Sequence, residues 1–255
     1  MSNKIKTNCI LLKKQPYSES SVILQVFSDT QGLISVLCKG IRKHKQHKDY
    51  LLNVLNEYEL IITSGSQSGL HTLTELSLIK EYPADLTLET WFNAQAGAEI
   101  LTRLLLPHDE TPLFYKALSQ YLDYLVNTPE NSIAIFWRYL LHIDKLLGVP
   151  INLKECSVCH KEMPKPTGFA ADSGRLVCHN CLPSLLSSIT FTAESANILM
   201  LLPVIGNYLQ DIVINNQTAI QLNNFFLNYL SLQFHKPIHL NSLQYIDDNK
   251  KGLPE

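Results

Sequence analysis

SVILQVFSDTQGLISVLCK, residues 21–39, decides the fold. Two apolar runs rich in β-branched residues, Ser21 to Phe27 and Leu33 to Lys39, flank the tetrapeptide Asp29-Thr30-Gln31-Gly32. Asp bonds readily to nearby backbone and Gly accepts positive φ, so this tetrapeptide favours a tight reversal. The pattern predicts a β-hairpin. Working outward, Ile5 to Leu12 reads as a strand before it. Asn56 to Thr63 (NEYELIIT) and Leu70 to Lys80 read as strands after it, separated by the loop Ser64-Gly65-Ser66-Gln67-Ser68-Gly69. Five strands within the first 80 residues, the first pairs joined by short turns, predict a small antiparallel barrel of OB type.

After Pro83 the period changes from two to three and four, which is the helical signal. A first helix is expected around Leu86 to Arg103, ending before Pro107, and a second from Pro112 to Val126, with Phe114, Leu118, Tyr121, Leu122 and Leu125 on one face. A third runs from Asn131 to Leu147 and is stopped by Gly148 and Pro150. Thr192-Ala193-Glu194 opens a further helix to about Leu202, and Thr218 to His235 forms the last. The fold class is therefore α+β: an N-terminal OB-type barrel (1–82), then a helical domain (83–247) carrying a four-cysteine insertion (154–182), then a polar tail (248–255).

That insertion holds Cys156-Ser157-Val158-Cys159 and Cys178-His179-Asn180-Cys181, with eighteen residues between the pairs. Each pair places two sulfurs on one turn, and the intervening loop is long enough to fold the second turn onto the first. The spacing is that of a structural zinc ion held by four thiolates, with no open coordination position. The alternative is a buried knot of reduced thiols. His160-Lys161-Glu162 followed by the second pair superficially matches the zinc-deaminase pattern. Against it, Val177 stands where proline is needed, Cys156 and Cys159 already complete the thiolate set, and the flanking helices do not alternate with strands. No phosphate-binding loop, GxGxxG or GxSxG is present, and His108-Asp109-Glu110 reads as a solvated turn, so no enzyme is expected.

At 255 residues, with 45% hydrophobic and 17% charged side chains, the chain is long enough for two or three small domains with cores of their own. Residues 1–14 lack a continuous apolar run, so no signal peptide is expected. Ser195 to Gln210 is interrupted by Pro203, Gly206 and Asn207 and is too broken to span a bilayer. Cys9 and Cys38 read as small core residues, a thiol usage that fits a reducing cytoplasm.

The net charge of −2 conceals an asymmetry. Residues 1–80 hold ten Lys/Arg against six Asp/Glu, a net of +4, while residues 81–255 hold eleven against seventeen, a net of −6. The excess centres on Lys39-Gly40-Ile41-Arg42-Lys43-His44-Lys45-Gln46-His47-Lys48, which contains five fixed cations and no acid. Charge alone does not separate a solvated basic loop from a phosphate contact. Its place between two strands of an OB-type barrel favours contact with a nucleic-acid backbone through Lys39, Arg42, Lys43, Lys45 and Lys48. Tyr17 and Tyr50, in polar surroundings, are candidates either for base stacking or for packing. So sparse an aromatic supply points to sequence-tolerant binding.

Several ordered strings resemble the bacterial recombination mediator family RecO. They are Tyr17-Ser18-Glu19-Ser20-Ser21 with Phe27 and Gly32, then Lys39-Gly40-Ile41-Arg42-Lys43, then Cys156 to Cys159 with Phe169 and Ser173-Gly174-Arg175-Leu176-Val177-Cys178 leading to Cys181. The sequence departs from the family pattern at Ser21, where an acid is common, and at Arg175, where a second glycine is common. The resemblance implies a non-catalytic protein at the nucleoid that binds single- and double-stranded DNA and anneals complementary strands. With RecR it would help RecA displace single-strand binding protein. The competing reading is a zinc-stabilised interaction scaffold whose barrel binds a protein or RNA.

Overall fold

The computed structural model describes residues 4–41, 52–64, 69–83, 85–104, 106, 108–128 and 130–244. The chain forms two compact units. One comprises Met1–Thr87 and Gly97–Val126, the other Leu88–Ala96 and Asn127–Glu255.

The first unit contains a closed barrel of five strands in the order β1-β2-β3-β5-β4, which is OB-like. The strands are β1 (Lys4–Pro16), β2 (Val22–Ser28), β3 (Gly32–Cys38), β4 (Glu57–Thr63) and β5 (Leu70–Lys80). In β2, Val22, Leu24 and Val26 point inward while Ile23 and Gln25 remain partly exposed, the period-two pattern of a half-buried strand. The β2–β3 turn is fixed by its polar side chains. Asp29 accepts the Thr7 hydroxyl at 2.6 Å and the Asn8 N–H at 3.2 Å, and Gly32 takes a φ of 67°. β1 serves two neighbours, pairing with β4 from Lys4 to Ile10 and with β2 from Cys9 to Pro16. A bulge between Leu11 and Lys13 bends it between those tasks. A parallel pairing of β3 with β5, from Ser35↔Leu70 to Leu37↔Thr72, closes the barrel.

Its core gathers Cys9, Leu11, Leu24, Val36, Cys38, Leu52, Tyr58, Leu60 and Ile62. Cys9 and Cys38 are buried there as free thiols, and burial pushes the Cys38 thiol up to about 12. Both behave as the small core residues expected from the sequence.

Helices α1 (Leu88–Arg103) and α2 (Thr111–Asn127) follow. The buried face of α2 is Phe114, Leu118, Tyr121, Leu122 and Leu125, as the periodicity predicts. Gly97 of α1 lies against the Tyr121 ring so closely that a Cβ there would sit 2.1 Å from Cε1. Barrel and α2 are tied by a carboxylate network. Buried Glu57 accepts the hydroxyls of Ser119 at 2.5 Å, Tyr82 at 3.1 Å and Tyr115 at 3.4 Å. The Tyr82 hydroxyl also lies 3.0 Å from Asp123, which pairs with Lys80. Burial first, then the charges of Glu57 and Asp123, hold the Tyr82 hydroxyl in its protonated, donating form.

The second unit contains α3 (Ser132–Leu146), α4 (Ala193–Leu201) and α5 (Asn216–Gln233), with a small sheet in the order β7-β6-β8. These strands are β6 (Gly168–Ala170), β7 (Leu176–Val177) and β8 (Ser188–Thr190). Thr192 caps α4 by accepting the Ser195 N–H at 3.1 Å, and Asn215 caps α5 through Thr218 N at 2.8 Å. Trp137 of α3 donates to Asn223 of α5 at 2.8 Å. Phe169 of β6 meets Phe225 of α5 edge-on at 5.2 Å between ring centroids, which anchors the sheet to the helix. Among the described residues no helix is long and apolar enough to cross a membrane.

Candidate nucleic-acid interface and metal centre

β3 ends at Cys38, one residue earlier than the sequence pattern indicates, and exposed Lys39 begins the turn that follows. Gly40 adopts a φ of 70° with open space where a Cβ would stand, so the chain turns sharply as it leaves the strand. Of the five predicted phosphate contacts, only Lys39 lies within the described residues. Arg42, Lys43, Lys45 and Lys48 lie outside them, as does Tyr50. Leu52 returns the chain to the barrel core.

The other aromatic side chains of the N-terminal part separate clearly. Phe27 and Tyr58 are buried, and Tyr82 is committed to the carboxylate network. Tyr17, at the tip of the β1–β2 hairpin, is 61% exposed. The hairpin tip and the exit of β3 share one end of the barrel, because Pro16 pairs with Val22 and Val22 with Cys38. Sequence reasoning did not single out Lys13, which lies near this end on an exposed strand face. Finding it needed the register beyond the bulge, and no motif signals that register.

In the second unit the four predicted cysteines come together, their sulfurs all within 4.8 Å of one another. Cys159 and Cys178 Sγ are 3.9 Å apart. A tetrahedral ion with metal–sulfur bonds of about 2.3 Å has an edge of about 3.8 Å, so the cage fits one thiophilic ion. Two turns build it. In the first, His160 takes a φ of 57° and its N–H returns to Cys156 O at 2.9 Å. In the second, Leu182 N returns to Cys178 O at 3.1 Å. The Cys178 N–H also points at Cys156 Sγ, at 3.4 Å. Gly174, with a φ of 66°, makes the reversal before the second pair, so the turn does not require glycine at Arg175.

Electrostatics of the thiols agrees with a cation-holding role. Burial opposes ionisation of Cys156, but backbone N–H groups of Cys159, Cys178 and Val158 outweigh it and lower the thiol to about 6. Cys181 is pushed the other way, up to about 12, by desolvation and by the neighbouring Cys159, Cys178 and Cys156 sulfurs. One thiolate forms readily and the set resists full ionisation unless a cation offsets the crowded charge. The metal group consists of cysteines only, and neither His160 nor Glu162 belongs to it.

The chain is similar to known proteins along most of its length. The family model described as recombination protein O, N terminal, matches residues 1–82, and that for the C terminal matches residues 86–243. The DNA repair protein RecO of Dehalococcoides mccartyi is 23% identical over 232 residues, covering 89% of this chain and 86% of its own. That of Mycoplasma mycoides is 24% identical over 225 residues, covering 86% and 88%. That of Aliivibrio fischeri is 31% identical over 155 residues, covering 58% and 61%. With both family models matched in order along nearly its whole length, the chain belongs to the recombination protein O (RecO) family of DNA repair proteins.

Proposed function

We propose that this chain is a non-catalytic DNA-annealing mediator of recombinational repair. It binds single- and double-stranded DNA, brings complementary strands together and, with RecR, helps load RecA onto DNA coated by single-strand binding protein. The observation that carries this reading is an OB-like barrel whose third strand opens, through Lys39 and Gly40, into the most cationic segment of the chain. Lys39, Arg42, Lys43, Lys45 and Lys48 contact phosphates. Two polyanions must approach during annealing, and a cationic surface lowers their repulsion while sequence-blind contacts let the strands slide into register.

The ion held by Cys156, Cys159, Cys178 and Cys181 is zinc, favoured by the four-sulfur donor set and the tetrahedral spacing. With all four positions taken by protein, it supplies folding energy to residues 154–182 and no chemistry. DNA binding belongs to residues 1–82, and the acidic remainder is the part suited to protein partners. The direct test is annealing of complementary strands coated with single-strand binding protein, across a salt series. Salt-sensitive acceleration is expected. Absence of acceleration, together with no binding of bare single strands at low salt, overturns the proposal in favour of an interaction scaffold.

A further inference from the structure

We propose that Cys159 and Cys178 form a reversible modification site, at which a peroxide converts the two facing thiolates into a disulfide and the cage gives up its metal. This rests on the zinc reading of the four cysteines and adds a reaction of the sulfurs themselves. Geometry singles out the pair. Cys159 and Cys178 stand on different turns, nineteen residues apart in sequence, yet their Sγ atoms lie 3.9 Å from one another. Both are partly exposed, whereas Cys156 is buried and its sulfur accepts the Cys178 N–H at 3.4 Å. Cys181 is also partly exposed, but it shares the turn of Cys178, which Leu182 N closes onto Cys178 O. A disulfide holds its sulfurs about 2.05 Å apart, so an approach of roughly 2 Å forms the bond.

Sulfurs gathered around a cation are thiolates, which is the form that attacks a peroxide. One thiolate of the pair attacks a peroxide oxygen. An S–O bond forms, the O–O bond breaks and hydroxide leaves. The facing thiolate then attacks the sulfenic sulfur. The S–S bond forms, the S–O bond breaks and a second hydroxide leaves. Two protons from solvent convert the hydroxides to water, so the sulfurs lose two electrons and one peroxide gains them. Cys156 and Cys181 are then the remaining thiolates of the cage, too few for an ion that takes four. A thiol reductant reverses the step and restores the donor set.

The local fold lets this pair close without taking the segment apart. Ser157 N donates to Leu176 O at 3.0 Å, so backbone already ties the first turn to the strand that leads into the second. Gly174 presses the reversal onto α5, where a Cβ would lie 3.0 Å from Tyr229 Cα, and Phe169 packs on Phe225. A bond from Cys159 to Cys178 therefore replaces the metal as the tie between two turns that are held in place from outside. Disulfides within each pair would instead close each turn on itself and leave the turns unlinked. Cys9 and Cys38 sit in the barrel core, 0% and 2% exposed, and stay reduced.

The test treats the full, metal-loaded chain with hydrogen peroxide and follows released metal, intact mass and the non-reducing tryptic map. Lys161 and Arg175 lie between the two cysteine pairs, so trypsin places the pairs on separate peptides. Oxidation is expected to release one metal equivalent, to remove two hydrogens from the mass and to join those peptides through Cys159 and Cys178. Residues 154–182 should then resist limited proteolysis better than in the chelated, reduced chain. Thiol reductant with added zinc should restore both the mass and the metal content. Metal retained through oxidation, disulfides confined to each pair, or oxygen added to sulfur without a disulfide overturns the inference while the zinc reading stands. A chain that carries no metal before oxidation overturns the zinc reading, and the inference with it.

Discussion

At the residue scale, the side chain least reconciled with its surroundings is Asp144. It sits near the end of α3, fully buried, and neither carboxylate oxygen has a hydrogen-bond partner among the described residues. Burial raises its pKa well above the ordinary 3.8, so the folded chain holds this proton to higher pH than the unfolded chain does. The sign of the consequence follows from proton counting. Above pH 3.8 the unfolded chain loses the proton while the folded chain keeps it. Stability therefore falls as pH rises through that window, by about 1.4 kcal/mol per pH unit. Asp144→Asn removes the titration and is expected to be more stable than the parent near neutral pH, with a flatter dependence on pH. Urea unfolding between pH 4.5 and 7 checks this, and parallel pH slopes for the two chains would reject it.

At the scale of elements, close packing outweighs propensity at Gly97. Alanine in a helix interior is favoured over glycine by about 1 kcal/mol. A Cβ at this position would lie 2.1 Å from the Tyr121 ring, and overpacking of a well-filled contact costs about 1–3 kcal/mol. Gly97→Ala is thus expected to lower the thermal midpoint. Combining it with Tyr121→Leu, which removes the ring edge, should recover part of the loss, and simple additivity of the two changes would count against the contact. The metal knuckles make a second prediction at this scale. Chelation should release one metal equivalent per chain and expose residues 154–182 to protease, because the short strands β6 and β7 are linked through the same segment as the sulfurs. Cys156→Ser should reproduce the effect. Metal analysis finding no bound ion, or cleavage unchanged by chelator, would remove the metal from the account.

Legibility differs between these elements for physical reasons. Strands β2 and β4 and helix α2 were readable because each buries one face, which writes a period of two or of three to four into the sequence. The N-cap Thr192 was readable because capping depends on a local side chain, but α5 begins two residues before Thr218, capped by Asn215. The strands β6, β7 and β8 span two or three residues each and carry no period at all. Their formation follows from the closed knuckles and from Phe169 packing on Phe225, both long-range events. The thiolate cage was legible from spacing alone. Lys13 was not, because the bulge after Leu11 resets which residues face outward.

At the scale of the whole molecule, charge is distributed along the chain in opposition: +4 over residues 1–80 and −6 over residues 81–255. A net charge of −2 gives no general attraction to DNA, so binding must depend on local cations, and their number can be read from salt dependence. For single strands the slope of log affinity against log salt is about −0.7 for each phosphate neutralised. Replacing Lys39, Arg42, Lys43, Lys45 and Lys48 together by Ala is expected to make the slope less steep by up to about 3.5, and to slow annealing in proportion to the lost affinity. An unchanged slope in the five-fold variant would move the phosphate contacts elsewhere on the chain, with Lys13 and the other barrel lysines the next to substitute.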